Sequence, residues 1–207
     1  MATYSSFFYG TLMHPKILKR VIGNDACHLQ IAPAILFEHT RHKLKNADYP
    51  GLIPIAQGQK LFDRDLLQEE RCVRGTLVTG LSAEDMKLLD YFEGAQYTRR
   101  NIQVHPLEPL VDISGYSVDD ASLVPARPAP LPPASEMPPP VAAQTYIYND
   151  IDDLSSELWS FADFVRHNAW KWHGAAADDN TDITEVDRRR AAGTMSTVEA
   201  SSVQVSA

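Results

Sequence analysis

An α+β fold is predicted for this chain, in which short strands and a few amphipathic helices share one core. Three observations carry the prediction. Short apolar or alternating runs recur at residues 6–9, 31–37, 52–55, 71–81, 101–105 and 145–148, the pattern of strands. Helical spacing of apolar residues appears in three other stretches, 16–22, 83–92 and 154–172. Hydrophobic residues make up 44% of the 207 positions, enough to bury a core for one domain of ordinary size plus extensions.

The first strand, 6–9, stops at Gly10. Pro15 then stands where a helix begins, since the first turn tolerates proline and its fixed φ suits that place. Ile17, Leu18, Val21 and Ile22 form an apolar face, and Gly23 is placed to close the helix. Between strand and helix, the backbone N–H groups from Gly10 to Met13 converge near the positive end of that helix, an arrangement suited to a small carboxylate or other anion. An ordinary strand-to-helix turn has the same appearance in sequence.

Residues 31–37 lean toward a strand, and Pro33 limits it to an edge or a bulge. The stretch 39–45 is expected to pair back onto it, with His39 and His42 on opposite faces. A turn cluster follows at 46–51, then the apolar run 52–55. In 71–81, Val73, Gly75, Leu77 and Thr79 share one strand face. Ser82 reads as an N-cap with Asp85 at N3, Met86, Leu88, Leu89 and Phe92 supply the apolar face, and Gly94 stops the helix. After the strands 101–105 and 145–148, Leu154, Leu158, Phe161, Val165 and Trp172 predict a last helix capped by Asp152 or Asp153, its aromatic residues packing into the core.

Two stretches read as unfolded. Eight of the 14 prolines lie between Pro125 and Pro140, which marks 114–143 as an extended or disordered insertion. The tail 174–207 has no aromatic residue and is rich in Ala, Ser, Thr and Asp. One domain, 1–173, interrupted by that insertion, is therefore expected. The net charge of −8 speaks against nucleic acid or an anionic membrane surface as partner. No run approaches the roughly 20 apolar residues of a membrane span, and no leader pattern opens the chain. Cys27 and Cys72 stand outside any CxxC pattern and read as buried free thiols, with no zinc spacing near them. A cytoplasmic setting is expected.

Glu93 falls at the C-terminal end of its predicted helix, where the macrodipole disfavours a negative charge. Phe92 and Tyr91 beside it suggest partial burial. Both effects raise a carboxyl pKa from its reference of about 4.3, toward the range useful for general acid–base chemistry at neutral pH. A solvated glutamate at a frayed helix end is the competing reading of this segment.

Taken together, Tyr9-Gly10-Thr11-Leu12, Tyr49-Pro50, Val73-Arg74-Gly75-Thr76-Leu77, Leu89-Asp90-Tyr91-Phe92-Glu93-Gly94-Ala95-Gln96-Tyr97-Thr98-Arg99-Arg100 and Thr145-Tyr146-Ile147-Tyr148 resemble the γ-glutamylcyclotransferase-like superfamily, and most of all its AIG2-like branch. The resemblance covers residues 5–105 and 144–173 and implies a small β-barrel with flanking helices. It also implies an acyltransferase that converts a small-molecule γ-glutamyl amide or amine to 5-oxoproline and a free amine. Tyr9, Gly10, Thr11 and Leu12 would hold the glutamyl α-carboxylate, and Glu93 matches the family's catalytic glutamate. Tyr97 and Tyr146 match tyrosines near the substrate and would donate to the developing oxyanion or shape the pocket; barrel-lining tyrosines look the same. Arg99 and Arg100 are solvated at a strand start or neutralise a carboxylate. The implied chemistry requires no metal or cofactor. Pro-x-x-Pro matches in the insertion offer a docking segment for an SH3-like protein partner, and a non-catalytic binding or regulatory protein on the same fold is the alternative. A related transfer to an external amine would differ in its product.

Overall fold

A computed structural model describes residues 3–115, 130–133, 136–172 and the pairs 183–184, 187–188 and 191–192. Alternation in Ser6-Phe7-Phe8 drives the first strand, β1 (Tyr4–Phe8): Phe7 belongs to one core cluster and Phe8 to another. A single 3-10 turn, Thr11–Met13, leads into helix α1 (Pro15–Ile22), which has its proline at the first turn and Gly23 in the left-handed region at φ 71°. Strands β2 (Gln30–Phe37), β3 (His39–Leu44) and β4 (Pro50–Pro54) follow, then the one-turn helix α2 (Ile55–Gly58). Strand β5 (Cys72–Leu81) precedes helix α3 (Ala83–Glu93).

The start of α3 is as expected. Ser82 Oγ accepts from the Asp85 N–H, and the Asp85 carboxylate accepts from the Ser82 N–H at 2.8 Å. Asp85 also accepts from Asn24 at 3.0 Å and meets His28 at 3.1 Å, which ties the start of α3 to the loop after α1. Gly94 ends the helix at φ 62°. Strands β6 (Tyr97–Pro106), β7 (Val111–Asp112), β8 (Val141–Tyr148) and β9 (Leu154–Leu158) precede helix α4 (Phe161–His167) and a closing 3-10 turn, Ala169–Trp172.

Five strands close on themselves in the order β5, β1, β8, β6, β2, with β2 returning to β5. This is the small barrel with flanking helices that the resemblance implied. Phe7, Tyr9, Leu36, Leu77 and Val104 fill one side of its wall together with Leu52 of β4. Another core cluster joins α1, α3, α4 and the closing 3-10 turn through Ile17, Leu18, Met86, Leu89, Phe164 and Trp172. A second sheet, β4-β3-β9, lies apart from the barrel in its pairing.

Four expectations need correction. Strand β2 is interior to the barrel, although it contains Pro33. On one side Pro33 is opposite Thr76; on the other, β2 pairs with β6 at Ala34 and Ile35 and with β7 at Gln30 and Ile31. Pro33 sits between those two pairings, where no ladder N–H is required. Strand β3 turns away from β2 and pairs with β4 and β9. The expected helix over 154–172 is strand, short helix and 3-10 turn: a four-residue spacing such as Leu154 to Leu158 fits period 2 as well as period 3.6, and Ser160, not Asp152 or Asp153, caps α4. The cysteines are free, but Cys27 is exposed and Cys72 half-buried.

Strand β8 begins at Val141, inside the expected insertion 114–143. The insertion's residues 116–129 and 134–135 lie outside the described residues, as does most of the expected tail 174–207. Within the tail, 183–184, 187–188 and 191–192 are described and helical; Ile183 is 1% exposed within the helix-side core, and Asp187 pairs with Arg20 at 3.0 Å. Among the described residues, no helix is long and apolar enough to cross a membrane.

Candidate active site

The turn after β1 and the end of α3 face a common cavity of about 550 Å³, its open mouth included. Tyr9, Gly10, Thr11, Leu12, Glu93, Tyr97 and Tyr146 all line it, so the structure brings together every site residue that the sequence singled out. The remaining walls come from Phe7 and Phe8 of β1, Tyr49 and Pro50, Phe92, Gln96 and Trp172.

Close packing shapes the turn. A Cβ built on Gly10 would lie 2.9 Å from Pro50 Cγ and 3.0 Å from Pro50 Cδ, so only glycine lets β4 approach this near. The Met13 N–H bonds to the Gly10 carbonyl at 3.0 Å and the His14 N–H to Thr11 at 3.1 Å. A 3-10 turn engages no amide earlier than these two, which leaves the N–H groups of Gly10, Thr11 and Leu12 outside its own bonds.

Glu93 is the one charged side chain among the described lining residues. It is half-buried, because the cavity opens onto it, yet it stands deep in protein. Burial first, and the negative Asp90 second, push its carboxyl up to about 8. Asp90 lies three residues back on the same helix and is anchored: the Tyr146 hydroxyl donates to its Oδ1 at 2.9 Å and Arg99 pairs with its Oδ2 at 3.2 Å. Arg99 is thus the arginine that neutralises a carboxylate, while Arg100 is exposed.

The three tyrosines stay protonated. Burial raises Tyr9, Tyr97 and Tyr146 above the usual phenol range, and the charge of Glu93 adds to each. Their hydroxyl protons are committed: Tyr9 donates to the Tyr146 carbonyl at 2.6 Å, Tyr97 to the Pro50 carbonyl at 2.9 Å and Tyr146 to Asp90. Tyr97 and Tyr146 therefore act here as walls that lock β4, β6, β8 and α3 together. At the outer side, Tyr49 and Phe92 meet Trp172 edge-on at 5.9 and 6.1 Å, and the Tyr49 hydroxyl reaches Gln96 at 3.2 Å.

The arrangement offers a carboxyl raised to about 8 on the same cavity as a turn whose first amides lie outside its own bonds, inside an aromatic chamber. That suits a proton transfer on a small molecule anchored by an anionic group. Sequence reasoning missed two contributors. Trp172 reads from sequence as a core residue, because its spacing fits a helix face, and it packs in the core as well as lining the cavity. Arg41, which donates to the Tyr9 carbonyl at 2.7 Å, carried no local signal, since the contact spans 32 residues and two sheets.

A family model described as "Gamma-glutamyl cyclotransferase, AIG2-like" matches residues 6–163. AIG2-like protein C of Arabidopsis thaliana is 27% identical over 103 residues, 50% of this chain and 51% of that protein. AIG2-like protein D of the same plant is 30% identical over 101 residues, 49% of this chain and 56% of that protein. The solution structure of a further Arabidopsis thaliana protein superposes with a TM-score of 0.50 at 20% identity, covering 83% of this chain and 78% of that one; this likeness concerns the fold. The chain matches only about half the length of these curated relatives.

Proposed function

Because the chain belongs to the gamma-glutamyl cyclotransferase, AIG2-like family, we propose that it cyclises the glutamyl part of a γ-glutamyl amide or amine to 5-oxoproline and releases the amine. The observation that carries this reading is the position of Glu93. A carboxyl held near 8 faces the same cavity as the Gly10 turn.

In this reading the amides of Gly10, Thr11 and Leu12 hold the α-carboxylate, and the α-ammonium comes to Glu93. The attacking nitrogen needs a lone pair, and a free α-amine has a pKa of about 8, so Glu93 is matched to the proton it must take. The α-nitrogen bonds to the γ-carbonyl carbon, closing the five-membered ring. Glu93 passes the first proton to the departing nitrogen as its bond to carbon breaks. It then takes the second proton shed by the ring nitrogen, which the free amine collects as it leaves. Attack is intramolecular, so folding the glutamyl chain against the aromatic walls supplies much of the acceleration.

The test is 5-oxoproline release from a panel of γ-glutamyl compounds by the wild type and Glu93→Gln, which keeps the size and removes the base. A fall of about 10²- to 10⁴-fold in kcat is expected. Equal turnover by both proteins would remove Glu93 from the mechanism; no product from any compound would overturn the activity.

A further inference from the structure

We propose that Arg41 is a positioning residue for the carboxylate of the bound glutamyl group, acting through the peptide that joins Tyr9 to Gly10. The inference rests on the cyclotransferase reading of the cavity and adds to it a cation from outside the cavity wall.

Arg41 lies on β3, opposite Leu52 of β4. Its Nη1 donates to the Tyr9 carbonyl at 2.7 Å and to the Arg74 carbonyl at 3.2 Å, with Met13 Sδ at 4.0 Å. The guanidinium lies over the Trp159 ring, 5.1 Å from its centroid. Trp159 is itself fixed, its backbone N–H on the Arg41 carbonyl at 3.0 Å and its indole N–H on the Asp48 carbonyl at 2.8 Å. No ion pair among the described residues includes Arg41. Burial pulls its pKa down to about 10, and it remains a cation at neutral pH.

A guanidinium set into protein without a carboxylate is costly: its partners here, two backbone carbonyls, the Met13 sulfur and the Trp159 ring, carry no formal charge. Its charge gains a use once an anion arrives. The Tyr9 carbonyl and the Gly10 N–H belong to one planar unit, and no peptide bond among the described residues is cis. In a trans peptide the N–H points away from the carbonyl, so the Gly10 N–H is directed away from Arg41. A charge-assisted bond on the carbonyl side polarises the unit and makes that N–H a stronger donor. The uncompensated positive charge adds a field across the turn that interior packing screens poorly. Arg41 does not itself line the cavity, so it works without touching substrate.

A merely structural Arg41 would pin the turn and help every ligand equally; a polarising Arg41 helps only an anion. The experiment compares 5-oxoproline, which keeps the carboxylate, with 5-oxoprolinamide, which lacks it. Binding of both is measured to the full-length wild type, Arg41→Met and Arg41→Lys, with a thermal melt of each. Arg41→Met is expected to weaken 5-oxoproline by about tenfold, the size of one charge-assisted bond, and to leave the amide within about twofold. Arg41→Lys, which keeps the charge, is expected to recover most of the preference. Equal weakening of both ligands, or an unchanged preference for the carboxylate in Arg41→Met, would overturn the inference while leaving the cyclotransferase reading in place. A wild type that binds neither ligand would overturn the inference, while 5-oxoproline release from the γ-glutamyl panel decides the cyclotransferase reading separately.

Discussion

At Glu93 a carboxyl is held where neither burial nor its neighbour wants it ionised. Asp90 is the nearer lever. Replacing it by Asn removes the second cause of the raised pKa and keeps an acceptor for the Tyr146 hydroxyl. It also frees Arg99, whose positive charge acts in the same direction. Activity that needs ionised Glu93 falls as pH drops through about 8 in the free enzyme, read in kcat/KM. Asp90→Asn should therefore move that acid limb to lower pH, and a limb that stays or rises would separate Asp90 from the tuning. Stability carries the same sign. Between the ordinary carboxyl value and about 8, the folded protein holds a proton on Glu93 that the unfolded chain has lost, so this residue costs stability as pH rises. Glu93→Gln does not titrate. Its melting temperature should exceed the wild type's by roughly 5 °C at pH 8.5 and by much less at pH 5, a gap that melts at the two pH values would read directly.

The elements divide by how local their causes are. Helix α3 was legible from Ser82, Asp85 and Gly94, because capping and termination are settled within a few residues; α1 was legible from Pro15 and Gly23 for the same reason. Strand partners were not: whether β3 pairs with β2 or β4 depends on residues far along the chain, and Leu154 and Leu158 satisfy both periods until β9 finds β3. The site followed the same division. Glu93 and the Gly10 turn showed in sequence, since each is set by one element's end, while Arg41 and the commitments of the tyrosine hydroxyls are tertiary. The contact of Gly10 with Pro50 is where two elements meet, and it is testable. Gly10→Ala places a Cβ 2.9 Å from Pro50 Cγ, so either the turn or the start of β4 must give by a few tenths of an ångström. Displacement of the anchoring amides should raise KM for a γ-glutamyl substrate by about tenfold or more with a smaller change in kcat, and steady-state kinetics separate the two. An unchanged KM would mean that the turn's amides do not carry the anchor.

Over the whole molecule, a closed barrel supplies rigidity, and a long excursion joins β6 to β8. No described residue of 114–143 lines the cavity, although the excursion starts and ends on the barrel. At one end the Ile113 N–H bonds to the Leu29 carbonyl at 3.1 Å. At the other, His105 Nδ1 meets the Pro138 carbonyl at 2.7 Å, and His105 pairs with Ile35 of β2. The two anchor points are thus about as far apart as Leu29 and Ile35 along one strand, roughly 20 Å at about 3.3 Å per residue. A Gly/Ser linker of about ten residues reaches that far with slack. Replacing residues 116–135 by such a linker should therefore leave β6 and β8 paired, shift the melting temperature by less than about 3 °C and keep the wild-type rate of 5-oxoproline release. A lower melting temperature would mean that the replaced segment packs on the barrel. An unchanged melt with altered KM would place the segment at the cavity mouth, and substrate access rather than partner docking would become its role.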